Sequence, residues 1–370
     1  MQVLRVPNVC EAMAAGLSLV PKMCYTETSR AGAVLVAPHP IATFYERPME
    51  RVLFCARRDA NPFFHLMESV WMLAGSQDAR WLDRYVGDFS SRFAEDGGLQ
   101  HGAYGYRWRQ HFNHRVHTTS GFDQIDEIGS ILRTKPETRQ AVMTMWDPSQ
   151  DLGAVKNDIP CNTHVYFRSR PAGEADTDKR RWLDVTVCCR SNDIIWGAYG
   201  ANAVHMSIMG EVVAALSDMR LGAYYQISNN WHVYMDTYAR IMGIEPSADG
   251  SAVDVRRLHA DNRYVTGTIK NLVPVAQSQV EAEDVLLDAR SFVRDREAIS
   301  SGRWNHFQSR TTWFEGVVVP MQKAHDLWKE GQAEQALHVL HDECWADDWR
   351  TAAREWIMRR QARRQRSAAK

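Results

Sequence analysis

The sequence predicts an α/β protein with a helical C-terminal extension, and three observations predict it. Two β-rich runs, CNTHVYFRSR (161–170) and RWLDVTVCCRS (181–191), sit among amphipathic helical stretches. A nearly uniform apolar stretch, NAVHMSIMGEVVAALSDMR (202–220), reads as a buried central helix. Beyond about residue 245 the strand patterns stop and helical ones take over.

Residues 61–85 carry apolar side chains at helical spacing, with a break at Gly75. FDQIDEIGSILRTKPETR (122–139) reads as an amphipathic helix stopped near Pro136, and RQAVMTMWDP (139–148) as a strand ending at Asp147-Pro148. The two β-rich runs flank the polar insert PAGEADTDKR, which predicts a long-looped antiparallel hairpin. YYQISNNWHVYMDTY (224–238) reads as a strand running into a helix. EPSADGSAVD (245–254) is a linker by composition, so the expected division is a main α/β domain, 1–245, and a mostly helical extension, 246–370. The final RRQARRQRSAAK is a basic tail, either a solvated, frayed helix end or a contact for nucleic acid.

The 370 residues are 45% hydrophobic and 24% charged, enough for a sizeable core. A net charge of -1 excludes a global field that draws nucleic acid or an anionic membrane, so any anion site must be built locally. Seven cysteines, at 10, 24, 55, 161, 188, 189 and 344, form no CxxC pair. Neither a disulfide framework nor a metal site is predicted, and a reducing compartment is. The N-terminus lacks a secretory pattern, and no run approaches the roughly 20 apolar residues of a membrane span. A soluble, cytoplasmic protein is expected.

Cys161 follows Pro160 at the entrance of a strand, where it is either a small buried hydrophobe or a nucleophile. The run CCRSNDIIWGAYGANAVHM (188–206) holds the groups a nucleophile would need nearby. Arg190 and Ser191 pair a guanidinium with a hydroxyl suited to phosphate, or form a surface ion pair. Asp193 follows them, a turn residue on its plain reading. Gly197 and Gly200 space a turn that lets backbone approach a ligand. Asn202 opens the central helix, as a cap or as an amide that reads a ligand edge.

These residues, in this order, resemble the thymidylate synthases and the pyrimidine nucleotide hydroxymethylases. The family's order is PC(H), then QRSxDxxLGxPFN, then GDxHxY; this chain has Pro160-Cys161, Arg190-Ser191-x-Asp193, Gly197 and Asn202, then His232 and Tyr234 in NNWHVY. Upstream, MESVWMLAGSQD is similar to HELLWFLxGxTN and supplies Glu68. HGAYGYRWR is similar to GPVYGxQWR and supplies Tyr104, and TRQAVMTMW is similar to SRRIIVSAW and supplies Arg139. The resemblance covers about residues 28 to 240. It implies a large mixed sheet with helices on one side, the other face packing on a second copy in a homodimer.

The resemblance also implies the chemistry. Cys161 adds to C6 of a pyrimidine deoxynucleotide, and C5 then accepts a one-carbon unit from 5,10-methylenetetrahydrofolate. Glu68, Tyr104 and Asp193 are the implied proton-handling and catalytic groups. Arg190 and Ser191 would hold the phosphate, with Arg139 reaching it from the partner subunit, although the family's second adjacent arginine is Gln140 here. Arg30 matches the family's phosphate-loop arginine or is an ordinary surface residue. His232 and Tyr234 would hold the sugar hydroxyl or form a buried structural pair. Folate would meet Glu68, Ser90, Phe93, Asp193, Trp196 and Gly197.

A synthase reduces the exocyclic methylene to methyl; a hydroxymethylase adds water to it. Synthases carry WDEWADENG where this chain has SSRFAEDGG (90–98), so Ser90 and Phe93 replace two tryptophans, which opens space and adds a hydroxyl. Asn162 replaces a histidine, Cys189 replaces a glutamine, and WGAYGAN is one residue longer than LGxPFN. The chain continues into extra helices where synthases end in a short segment closed over folate. Together these departures favour a phage-type dUMP hydroxymethylase, with thymidylate synthase, dCMP hydroxymethylase and an inactive interaction protein as alternatives. An amide at Asn202 suits the O4 and N3–H edge of uracil, although an ungapped register would put Ala201 there. The C-terminal helices are a candidate surface for other proteins of nucleotide metabolism.

Overall fold

The computed structural model describes residues 1–29, 32–112, 122–243, 261–295 and 307–368. The first part of the chain runs β1 (Gln2–Val6), α1 (Val9–Met23), β2 (Tyr25–Ser29), β3 (Gly32–Val36), β4 (Ile41–Tyr45), α2 (Pro62–Leu73), α3 (Phe89–Phe93), α4 (Tyr104–Arg109) and α5 (Gln124–Thr134). It continues through β5 (Val142–Thr144), α6 (Pro148–Asp151), β6 (Asn162–Arg170), β7 (Trp182–Asp193), α7 (Asn202–Leu216), β8 (Arg220–Tyr234) and α8 (Met235–Met242). Four long helices follow: α9 (Gln279–Arg294), α10 (Val319–Lys329), α11 (Ala333–Glu343) and α12 (Asp347–Ala368).

The eight strands form one mixed sheet in the order β1-β4-β8-β7-β6-β5, with β3 on the far end of β8 and β2 on β3. β6 and β7 are the expected antiparallel hairpin. β7 and β8 run parallel, which requires a crossover, and α7 supplies it. Every residue of α7 is buried, as its unbroken apolar run predicts. β5 is only three residues long, although Ala141 before it and Met145 after it still exchange backbone hydrogen bonds with β6.

Local chemistry sets the ends of the elements that carry the site. Asn61 caps α2 by accepting from Phe64 N, with Pro62 in the first turn; Gly75, at φ 73°, reverses the chain after it. Gly105 lets α4 lie directly on α2, since a Cβ there would overlap the backbone of Met72.

The C-terminal helices share the core of the sheet-bearing part. Phe63 of α2 meets Trp356 of α12 edge-on at 5.6 Å, and Tyr264 accepts from Val52 N while donating to Asp348. The basic tail is not frayed within the described residues: α12 continues to Ala368, and Arg359, Arg360 and Arg363 converge on Asp59. The expected linker at 245–254 lies outside the described residues, as does Arg30. No helix among the described residues is long and apolar enough to cross a membrane.

Candidate active site

Cys161 is half-buried at the mouth of β6, where two neighbours define its setting. Tyr104, the first residue of α4, accepts from the backbone N–H of Cys161 at 3.1 Å and of Asn162 at 3.2 Å, which leaves its own hydrogen to donate elsewhere. Burial, reinforced by charge at Cys161, holds this phenol well above its usual range, so it is a neutral donor. Arg190 anchors its guanidinium on the carbonyls of Pro160 (2.8 Å) and Ile159 (3.0 Å), with Nη2 4.0 Å from the Cys161 sulfur. A cation so placed stabilises negative charge on sulfur. Ser191 follows Arg190 on β7, in register with Asn230.

Beside the cysteine lies a chain of buried side-chain hydrogen bonds. Cys189 donates to Asn162 Oδ1 (2.9 Å), Asn162 to Asn202 Oδ1 (3.2 Å), Asn202 to Asn192 Oδ1 (3.1 Å), and Asn192 to Ser228 (2.9 Å). Each end of the Asn202 amide keeps one further donor or acceptor position. Asn202 is therefore not a helix cap: its backbone is already helical, and its side chain serves this network. Gly197 is part of the arrangement, because a Cβ there would lie 2.6 Å from Asn192 Oδ1 and 3.2 Å from Asn202 Nδ2.

The expected glycine-spaced turn is instead a widened, π-type helical segment, Ile194–Ala201, kinked at Tyr199 and Gly200. Such a bulge absorbs one extra residue without shifting the helix after it. The longer WGAYGAN thereby presents Asn202, rather than Ala201, to Asn162. Asp193 opens the segment, its Oδ1 accepting from Ile195 N and Trp196 N at 2.7 Å each. Its buried Oδ2 has no partner among the described residues, and burial raises the carboxyl's affinity for a proton. Asp193 pairs in register with His232 of β8, and the His232 and Tyr234 rings meet edge-on at 5.8 Å.

A cavity of about 960 Å³ opens next to this cluster. Glu68, His65, Asp193, Trp196, Phe93 and Tyr234 line one side, and residues of α10 and α12 line the other. Ser90 is not among its lining residues: its backbone N–H and hydroxyl are both held by Asp83, at 2.7 and 2.6 Å, so the hydroxyl expected to face folate is engaged elsewhere. Arg139 is exposed just before β5 and does not line the cavity either.

Three residues that motif reading passed over belong to the site. His205, one turn beyond Asn202, is buried with Nε2 3.1 Å from Glu68 Oε2. The two are close but not aligned as a hydrogen bond, and neither atom has a hydrogen-bond partner among the described residues. Buried Arg58 lies over the Trp196 ring at 4.1 Å and donates to Ile195 O, bracing the π-type segment. His65 is held neutral by burial and by the nearby charge of Arg58. The contiguous motifs could not reveal these groups, whose partners are distant in sequence. The one available signal was spacing: His65 precedes Glu68, and His205 follows Asn202, by three residues, so each pair shares a helix face.

No group of three or more histidine, cysteine or carboxylate side chains poised to hold a metal occurs among the described residues. Comparison with known proteins adds two findings. The family model described as thymidylate synthase matches residues 57–262. The deoxyuridylate hydroxymethyltransferase of Pseudomonas phage M6 is 37% identical over 98% of this chain and 95% of its own length. That of Bacillus phage SP01 is 33% identical over 63% of this chain and 62% of its own, and the thymidylate synthase of Candida albicans 25% over 46% and 61%.

Proposed function

The chain belongs to the thymidylate synthase family, and from that premise we propose that it is a deoxyuridylate 5-hydroxymethyltransferase. The observation that carries the reading is the similarity to the phage M6 enzyme, which runs through the C-terminal helices as well as the sheet. dUMP and 5,10-methylenetetrahydrofolate are the substrates, and 5-hydroxymethyl-dUMP and tetrahydrofolate the products.

Cys161 forms a thioether at C6 of the pyrimidine, which makes C5 nucleophilic. Arg190 holds the sulfur's charge and, with Ser191, the phosphate. The Asn202 amide, fixed by Asn162 and Asn192, offers its remaining N–H and lone pair to O4 and N3–H of uracil. Methylenetetrahydrofolate supplies the one-carbon unit. The cavity suits such a co-substrate: the aromatic residues Phe93 and Trp196 and the carboxylate residues Glu68 and Asp193 line it together.

After C5 loses its proton and tetrahydrofolate departs, the exocyclic methylene takes up water. Glu68 receives the proton of the attacking water, and the His205 ring, 3.1 Å away, is close enough to share it. Expulsion of the Cys161 thiolate restores the aromatic pyrimidine and completes the product. The outer face of β5 and β6, where Val142 and Tyr166 are exposed, receives a second copy, and Arg139, three residues before β5, reaches toward the partner's phosphate site.

The test follows nucleotide mass and dihydrofolate absorbance together, with dUMP and dCMP supplied separately. A hydroxymethyl product from dUMP without dihydrofolate is expected. A methyl product with dihydrofolate would make the protein a thymidylate synthase, and turnover of dCMP alone would overturn the base assignment.

A further inference from the structure

We propose that base choice is set by the direction of the hydrogen-bond chain that holds Asn202, with Cys189 at its head and Asn162 and Asn192 as positioning residues on either side. The inference rests on the functional reading above and names what makes that site prefer uracil to cytosine.

An amide alone does not choose between the two bases. Uracil presents an acceptor, O4, beside a donor, N3–H. Cytosine presents a donor, its exocyclic amine, beside an acceptor, N3. A half-turn of the Asn202 amide about its Cβ–Cγ bond exchanges its free N–H and its free lone pair, and with them the base it reads. Whatever fixes that half-turn fixes the base.

The neighbours of Asn202 supply the fixing device. Its Oδ1 accepts from Asn162 at 3.2 Å and its Nδ2 donates to Asn192 at 3.1 Å, so a turn of Asn202 forces both neighbours to turn with it. The chain ends at Cys189, which donates to Asn162 Oδ1, and at Ser228, which accepts from Asn192. All five side chains are buried, and Asn202, the most open of them, is 7% exposed. Bulk water is therefore not at hand to satisfy a turned amide. Gly197 packs against the middle of the chain, where a Cβ would lie 2.6 Å from Asn192 Oδ1.

The two directions of the chain differ at one end. The Ser228 hydroxyl accepts or donates equally well, so that end is neutral. The Cys189 end is not. Burial holds its thiol well above the usual range, so it keeps a hydrogen to give. In the observed direction that hydrogen meets the Asn162 oxygen. In the reverse direction an Asn162 N–H would face sulfur, a weak acceptor, and a poorly met buried N–H is the rarer defect in folded proteins. The thiol thereby holds the Asn202 amide in the direction that the functional reading assigns to uracil.

The test replaces each flanking amide with a carboxylate of the same shape, which only accepts. Asn162→Asp accepts from both Cys189 and Asn202, which reverses the chain beyond it, and Ser228 then donates to Asn192. Asn192→Asp accepts from both Asn202 and Ser228, which locks the observed direction. Affinities for dUMP and dCMP are measured by equilibrium dialysis at about pH 8, where carboxylates are ionised, so the readout does not depend on turnover. Asn162→Asp is expected to shift the affinity ratio toward dCMP about tenfold or more, and Asn192→Asp to keep the ratio within about threefold of the wild type. Ser228→Ala adds no charge and removes the acceptor of the Asn192 N–H, so it should shift the ratio toward dCMP by about threefold or more, and it decides the matter if a carboxylate variant fails to fold. Equal shifts for the two carboxylates, or an unchanged ratio in Asn162→Asp or in Ser228→Ala, would overturn the inference, because a purely structural role lowers both affinities alike. A wild type that binds neither nucleotide overturns the functional reading and the inference together.

Discussion

At the scale of single residues, the site divides into groups that touch the nucleotide and groups that act through them. In the proposed mechanism Asn202 belongs to the first kind. Replacing its amide with a carboxylate exchanges a donor for an acceptor, so Asn202→Asp is expected to lose dUMP turnover and gain activity on dCMP, whose exocyclic amine donates. Paired kcat/KM values on the two nucleotides check this, and an unchanged ratio would remove Asn202 from base selection. His205 belongs to the second kind. His205→Gln should lower kcat for hydroxymethyl-dUMP by about 10²-fold or more, leave KM for dUMP within about twofold, and alter the acid limb of the pH profile. A merely structural histidine would raise KM and leave the profile alone. The groups the sequence made legible, Cys161, Arg190, Asp193, Asn202 and Tyr104, stand in short contiguous motifs. His205 and Arg58 stayed hidden because their roles come from contacts with residues 137 positions away in each case, Glu68 and Ile195.

At the scale of elements, two devices bring α2, α4 and α7 to the same point. The first is the close approach of α4 to α2 at Gly105. Gly105→Ala forces a methyl into the Met72 backbone, and destabilisation of about 3 kcal/mol or more is expected, read as a lower denaturation midpoint. A neutral effect would mean that α4 can move off α2. The second is the π-type segment, which sequence alone reads as a turn because two glycines and an insertion fit either description. A third feature concerns α12. Buried Asp348 has its carboxyl pushed up to about 7, by burial first, against the opposing pull of the Trp349 N–H and of Arg51. An acid whose folded pKa exceeds its unfolded value of 3.8 keeps a proton that the unfolded chain releases. The resulting penalty is absent below about pH 4, grows between there and pH 7, and reaches on the order of 4 kcal/mol above it. Asp348→Asn should therefore gain stability relative to the parent as pH rises from 4 to 8. A difference independent of pH in urea titrations would refute the assignment.

At the scale of the whole molecule, the strand and helix periods made the fold class legible, and the hairpin and the buried crossover helix followed from them. The relation of the extension to the sheet was not legible, because a helical pattern does not say what its apolar face covers. Phe63 against Trp356 and Arg84 against Asp326 show that it packs on α2 and the segment after it. Unfolding should accordingly be one transition, with tryptophan fluorescence and far-ultraviolet dichroism coincident, whereas two transitions would restore an independent extension.

The central claim is that water captures the methylene, and the most direct measurement runs the reaction in water labelled with heavy oxygen. The account predicts 5-hydroxymethyl-dUMP that carries the label, formed with tetrahydrofolate. A methylated nucleotide, or dihydrofolate in step with product, would contradict it.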